Sequence, residues 1–239
     1  MSDAPLIELK NCTIKSPLRK RRLNTPSKHR SVLPNIIDGI NLTAFNGDSI
    51  GLIGANGAGK STLLRCIAGA LIPDNGSVTT NGTIFFGGSL SVGLHDERTG
   101  VENLIIMGLT RGIAKKQVLE HLDALVDFTE LGEFIYEKVK HYSDGMKVRL
   151  GLSIVLLVKS DILLLDEGLA AGDTSFRKKA EQTFESFYSS GGVLIMASHS
   201  EAMLKNFCKL GLVLSGGKAV FKGEIQDALE FYKEQSKVV

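Results

Sequence analysis

Along the first fifty residues apolar and polar positions alternate in short runs, Leu6 to Leu9, Ile36 to Leu42 and Ser49 to Ile53, the last entered through Asn46-Gly47-Asp48. Runs of this kind between turn residues predict strands. From Ser61 the period changes. Leu63, Leu64, Ile67, Ala68 and Leu71 fall on one face of a helix that Pro73-Asp74-Asn75-Gly76 is expected to stop. The stretch from about residue 90 to 158 is mostly helical in pattern, with Val118, Leu119, Leu122, Leu125 and Val126 at i, i+1, i+4, i+7 and i+8, and reads as a helical subdomain. Two unbroken apolar runs follow, Ile162 to Leu165 and Val193 to Ala197, separated by a polar helical stretch around 174–189. Such runs suit parallel strands buried on both faces. A hairpin through Ser215-Gly216-Gly217-Lys218 and an amphipathic helix over about 225–235 complete the pattern, which contains no internal repeat.

The chain has 239 residues, 43% hydrophobic and 23% charged, with 26 glycines. That is an ordinary globular composition with length enough for a real core. A net charge of +2 supplies no global field that would argue for nucleic acid or a membrane surface. The greasiest stretches, Ile154 to Val158 and Ile162 to Leu165, are split by Lys159-Ser160-Asp161, so no run approaches the roughly 18 residues of a membrane helix. Met1-Ser2-Asp3-Ala4-Pro5 lacks the marks of an export leader. Arg19-Lys20-Arg21-Arg22 and Lys28-His29-Arg30, among Pro17, Pro26 and Pro34, form a basic loop. It reads as a solvated insertion before a contact for acidic lipid or nucleic acid. Cys12, Cys66 and Cys208 have no metal-type spacing and read as buried reduced thiols.

Gly54-Ala55-Asn56-Gly57-Ala58-Gly59-Lys60-Ser61-Thr62 contains the phosphate-loop pattern G-x-x-x-x-G-K-[ST] between a predicted strand and a predicted helix. Glycines at Gly54, Gly57 and Gly59 let backbone N–H groups converge on phosphate oxygens, and the helix N-terminus beneath adds positive partial charge. Lys60 is placed to pair with β- and γ-phosphates and the Ser61 hydroxyl to hold Mg²⁺. Ile162-Leu163-Leu164-Leu165-Asp166-Glu167 is an apolar strand ending in two carboxylates. Asp166 suits the Mg²⁺ shell and Glu167 the orientation of an attacking water. Between these motifs, Ser143 in Tyr142-Ser143-Asp144-Gly145-Met146 can cap the helix that follows, so that its hydroxyl and the Gly145 amide face one anion.

In this order the three motifs resemble those of the ABC ATPases, whose signature usually reads Leu-Ser-Gly-Gly-Gln; Ser143 and Gly145 match it, whereas Tyr142, Asp144 and Met146 depart. The resemblance covers nearly the whole chain. It implies that His199 in Ala197-Ser198-His199-Ser200 is the switch histidine touching the γ-phosphate, and that Asp173 in Ala170-Ala171-Gly172-Asp173 is the D-loop aspartate. It places His95 near the position of the family's Gln that links nucleotide to membrane partner. It also implies a head-to-tail homodimer in which Lys60 of one copy and Ser143 of the other serve one nucleotide. The aromatic that usually stacks on adenine is missing, with Ser16 near its place and His29 a substitute. Thr99-Gly100-Val101-Glu102-Asn103-Leu104, with the signature variant, resembles the exporters of O-antigen, capsule or teichoic acid.

The expected fold is therefore an α/β phosphate-loop ABC-ATPase with a RecA-like mixed-sheet core, an N-terminal antiparallel β subdomain and an inserted helical subdomain. A single domain spans 1–239, with 1–89 and 159–239 as core plus β subdomain and 90–158 helical, and without a C-terminal carbohydrate-binding domain. The expected activity is Mg²⁺-dependent ATP hydrolysis that powers export of a lipid-linked polysaccharide through a separate permease dimer, on the cytoplasmic face of the plasma membrane. The alternatives are a subunit serving another cargo, or a soluble nucleic-acid- or ribosome-associated ATPase. No nucleic acid is expected as partner.

Overall fold

The computed structural model describes residues 4–16, 35–88, 93–157, 160–166 and 174–236. Glu167, Asp173 and the basic loop 19–30 lie outside the described residues.

Two sheets organise the chain. β1 (Ile7–Lys15) is the centre of a three-stranded antiparallel sheet between β2 (Asn35–Ala44) and β4 (Asn75–Thr80). The second sheet has six strands in the order β5 (Ile84–Gly88), β6 (Ile162–Asp166), β7 (Val193–Ala197), β3 (Ser49–Ile53), β8 (Leu210–Ser215) and β9 (Lys218–Glu224). β5, β6, β7, β3 and β8 run parallel, and β9 returns antiparallel after the turn at Gly216-Gly217. The apolar runs of β6 and β7 are what parallel strands buried on both faces require. On one face Ile162, Leu164, Val193 and Ile195 share a cluster with Leu63, Leu64 and Ile67 of the helix Lys60–Ile67, which packs in turn against the antiparallel sheet that contributes Ile7, Leu9 and Leu42. Leu163, Leu165, Leu194 and Met196 pack on the opposite face with Phe176, Phe184, Phe207 and Leu229.

Eight α-helices are described: α1 (Lys60–Ile67), α2 (Gly100–Leu109), α3 (Lys115–Glu120), α4 (Leu122–Thr129), α5 (Asp144–Ser153), α6 (Thr174–Ser189), α7 (Glu201–Phe207) and α8 (Ile225–Ser236). Short 3₁₀ turns at Gly132–Tyr136 and Val139–His141 join α4 to α5. The segment from α2 to α5 has its own apolar cluster of Leu104, Val118, Leu125, Ile135, Val139, Tyr142 and Leu150. Met107, Phe128, Val148 and Leu152 of the same segment join the sheet's cluster.

Three of the expected elements take a different form. The helix from Lys60 stops at Ile67, before Leu71. Gly69 takes φ +75°, its N–H donates to the Cys66 carbonyl and the Ala70 N–H to the Arg65 carbonyl, a Schellman closure that a left-handed residue makes possible. Asn75-Gly76 opens strand β4 instead of only ending a helix. The single face drawn over Val118 to Val126 is broken at His121, so that Val118 and Leu125 are buried while Leu119 is 43% exposed.

Candidate functional site

The C-terminal ends of β3, β7 and β6 lie side by side, Leu52 opposite Ala197 and Ala197 opposite Asp166. This edge is where open parallel sheets hold ligands. From β3 the chain runs through Gly54 to Gly59 into α1. Asn56 and Gly57 are exposed at the tip, whereas Ala58, Gly59 and Lys60 are buried. Gly59 sits at φ +108°, where a Cβ would come 2.7 Å from Ile37 Cδ1 and 2.8 Å from the Ile36 carbonyl oxygen, so a side chain is excluded both by conformation and by β2. The Lys60 ammonium is only 6% exposed as a residue and folds back along the loop, donating to the carbonyls of Gly54 at 2.7 Å and Ala55 at 3.2 Å. Its charge therefore stands beside the loop concavity. Ser61 and Thr62, in the first turn of α1, are half-buried.

The Ser61 hydroxyl donates to Asp166 Oδ1 at 3.0 Å, across 105 positions of sequence. This brings the two residues expected to hold Mg²⁺ into contact at the end of β6. A hydroxyl and a carboxylate are hard oxygen donors, and a small set of protein oxygens completed by phosphates and water is what Mg²⁺ takes; the residues fit the ion. Among the described residues no cluster of three or more His, Cys, Asp or Glu forms a dedicated metal cage. His199 lies two residues beyond Ala197, exposed, in the bend before α7. Glu167 follows Asp166 directly in sequence.

Ser143 and Gly145 form a second locus, on the helical segment. Ser143 is the N-cap of α5, its hydroxyl accepting from the Met146 N–H at 3.3 Å. A depression of about 270 Å³ opens there, lined by Leu131, Phe134, Ser143, Gly145, Met146 and Arg149. Arg149 is anchored by Glu130 at 3.2 Å and lies 5.1 Å from the centre of the Phe176 ring. Tyr142, beside Ser143, is buried and its hydroxyl donates to the Phe134 carbonyl; burial pushes its phenol up to about 12.

His95 is exposed and lines a cavity of about 250 Å³ with Phe85, Met107 and Arg111. Its backbone is held by a residue that the sequence named only as part of the run Thr99 to Leu104. Asn103 of α2 is 1% exposed; its Oδ1 accepts the His95 N–H at 2.7 Å, and its Nδ2 faces the carbonyls of Thr99 at 2.9 Å, His95 at 3.1 Å and Arg98 at 3.4 Å. The signal was an amide at a position that α2 turns to the interior. The three cysteines are buried, Cys12 and Cys66 with their sulfurs 3.7 Å apart.

Residues 37–170 match the model of the ABC transporter family. The chain belongs to the ABC transporter ATP-binding family. Its curated relatives include teichoic acids export ATP-binding proteins TagH. That of Staphylococcus epidermidis is 38% identical over 82% of this chain and 74% of its own length, and that of Staphylococcus haemolyticus 35% identical over 83% and 75%. The chain spans 36% of the Bacillus anthracis protein of that name, at 37% identity. Among solved structures, the ATP-binding subunit of an ABC transporter superposes with TM-score 0.75 over 95% of this chain and 93% of its own, at 20% identity. A dimeric ATP-binding cassette in a post-hydrolysis state with ADP and Pi gives TM-score 0.73 over 92% and 98%, also at 20% identity. The mixed α/β arrangement of this chain is accordingly the ABC ATPase fold, and the chain is an ATPase domain of the ABC type. Among the described residues no helix is long and apolar enough to cross a membrane.

Proposed function

We propose that this chain is the ATP-hydrolysing subunit of an exporter that moves a lipid-linked surface polysaccharide, a teichoic acid or a polymer of that kind, through a separate membrane permease. What supports the cargo is the 38% identity to a teichoic acids export ATP-binding protein over most of both chains. The subunit works as a homodimer, peripheral on the cytoplasmic face of the plasma membrane. Residues 90–158 act as a helical subdomain set into a core of 1–89 and 159–239.

In this reading the backbone amides from Gly54 to Gly59 and Thr62 cradle the phosphates, with Asn56 at the loop's tip. Lys60, already turned along the loop by two carbonyls, pairs with the β- and γ-phosphates. Ser61 and Asp166 hold Mg²⁺, which when bound neutralises phosphate charge. Glu167 orients and polarises the attacking water, and His199 steadies the γ-phosphate from the neighbouring strand end. Ser143 and Gly145 of the second copy close the site over the phosphates, with Asp173 at the same interface, and His95 faces the permease. The protein supplies position and electrostatic stabilisation without a covalent intermediate.

Purified Glu167→Gln protein is expected to bind ATP, to run as a dimer with ATP on gel filtration, and to turn over about a hundredfold more slowly, the low end for loss of a positioned base. Unchanged turnover removes Glu167 from the mechanism. The cargo is tested by adding a lipid-linked teichoic acid polymer to the subunit co-purified with its membrane partner in vesicles. Stimulated ATP hydrolysis is expected; stimulation by an unrelated cargo alone sinks the polysaccharide assignment.

A further inference from the structure

The loop from Asp96 to Gly100 and the segment from Glu137 to Lys140 are tied together by backbone hydrogen bonds. The Val139 N–H donates to the Arg98 carbonyl at 2.9 Å, the Lys140 N–H to the Asp96 carbonyl at 3.0 Å and the Gly100 N–H to the Glu137 carbonyl at 3.3 Å, and Thr99 pairs with Lys138 as an isolated antiparallel bridge. Charges follow the same seam. Glu97 meets Lys138 and Lys140 at 3.1 Å, and Asp96 meets Lys147 of α5 at 3.4 Å. These pairs are mostly exposed and individually weak. What fixes the loop that carries them is Asn103, whose single buried amide serves the backbone of His95, Arg98 and Thr99. From there the path to the signature is short. Arg98 holds Val139, whose carbonyl accepts the Tyr142 N–H at 2.9 Å, and Tyr142 precedes the capping hydroxyl of Ser143.

We propose that Asn103 is a positioning residue for ATP hydrolysis: it locks the His95–Thr99 loop to the 137–143 segment, so that Ser143 and Gly145 are presented as one rigid piece with the loop. A buried polar network with all its partners in place rigidifies its surroundings, and removing one member leaves the others unsatisfied. A misplacement of an ångström at a phosphate-binding group is enough to cost orders of magnitude in rate. The inference rests on the proposed role of Ser143 and Gly145 in closing the nucleotide site.

The test uses the full chain with Asn103→Ala, with Asp96→Ala and Glu97→Ala together, and with Ser143→Arg, measuring affinity for trinitrophenyl-ATP and steady-state turnover. Asn103→Ala is expected to bind the analogue within twofold of the parent, because the phosphate loop lies on other elements, while turnover at saturating ATP falls about tenfold or more. Asp96→Ala with Glu97→Ala, which touches only exposed side chains, is expected to lower turnover several-fold with unchanged affinity. Turnover of Asn103→Ala within twofold of the parent overturns the inference, and so does a parallel loss of affinity, turnover and melting temperature, which marks a structural residue only. Should Asn103→Ala not fold, Asn103→Asp decides, since it keeps an acceptor for the His95 N–H and loses the donor to the Thr99 and His95 carbonyls; turnover within twofold of the parent there overturns the inference. If Ser143→Arg abolishes turnover while the other variants do not lower it, this inference fails and the reading of the signature stands. If Ser143→Arg turns over like the parent, that reading fails and this inference with it.

Discussion

Gly59 and Gly57 carry the same letter in the phosphate loop but answer to different constraints. Gly59 has φ +108° and is pressed against Ile36 and Ile37, whereas a Cβ on Gly57, at φ +79°, meets nothing within 4 Å. Gly57→Ala is expected to lower stability by about 1 kcal/mol, the conformational term alone. Gly59→Ala is expected to cost about 3 kcal/mol or more, strain and collision together, read as the shift of the urea midpoint at constant slope. Equal shifts would mean that β2 yields to the new methyl. At this scale the sequence was most legible where chemistry fixes both type and spacing: Lys60, Ser61 and Asp166 were named from their motifs, and the Ser61–Asp166 contact of 3.0 Å joins two of them. Asn103 was not legible, because its partners are backbone carbonyls whose convergence is a property of the folded loop and leaves no spacing in the sequence.

The start of α2 shows how an element encodes its own boundary. Thr99 accepts from the Glu102 N–H at 3.2 Å while the Glu102 carboxylate accepts from the Thr99 N–H at 2.9 Å, a reciprocal capping box. Thr99→Ala is expected to cost about 1 kcal/mol in thermal or urea unfolding. The Thr99 N–H, then Arg98, hold the Glu102 carboxyl below its ordinary value, as Lys140 and Lys138 do for Glu97. A carboxyl with a lowered folded-state pKa adds stability that is full above its unfolded value and is lost as pH falls through the folded one. The melting temperature is therefore expected to drop on acidification below the ordinary glutamate range, and Glu102→Gln to show a shallower drop between pH 5 and pH 3; parallel curves would remove Glu102 from the account. Strands β1, β2, β3, β6 and β7 were legible from period and continuity. The end of α1 at Ile67 is not legible from the apolar period, which Leu71 continues, because Gly69 stops the helix through its left-handed backbone. β5 (Ile84–Gly88) went unread because five residues ending in glycines carry little alternation, and its place is set by pairing with β6.

Across the molecule, local pattern predicted the parts but not the order β5-β6-β7-β3-β8-β9, since strand neighbours are chosen by crossovers and not by the residues of any one strand. The predicted burial of β6 and β7 on both faces holds because one face meets α1, with the antiparallel sheet behind it, and the other meets α6 to α8. The same order sets a timetable for synthesis. β3, which launches the phosphate loop, is finished by Ile53, yet its two parallel neighbours are Val193–Ala197 and Leu210–Ser215. A growing chain thus carries its nucleotide grip unsupported until synthesis has passed Ser215, with a bare apolar strand that non-local pairing covers late and slowly. A chain stopped after Gly192 is expected to show no measurable affinity for trinitrophenyl-ATP, and retention of parental affinity would mean that the loop folds without its flanking strands. Up to that length the residues of the helical cluster around Leu104 and Leu150 are all present, while the strands that flank the phosphate loop are not.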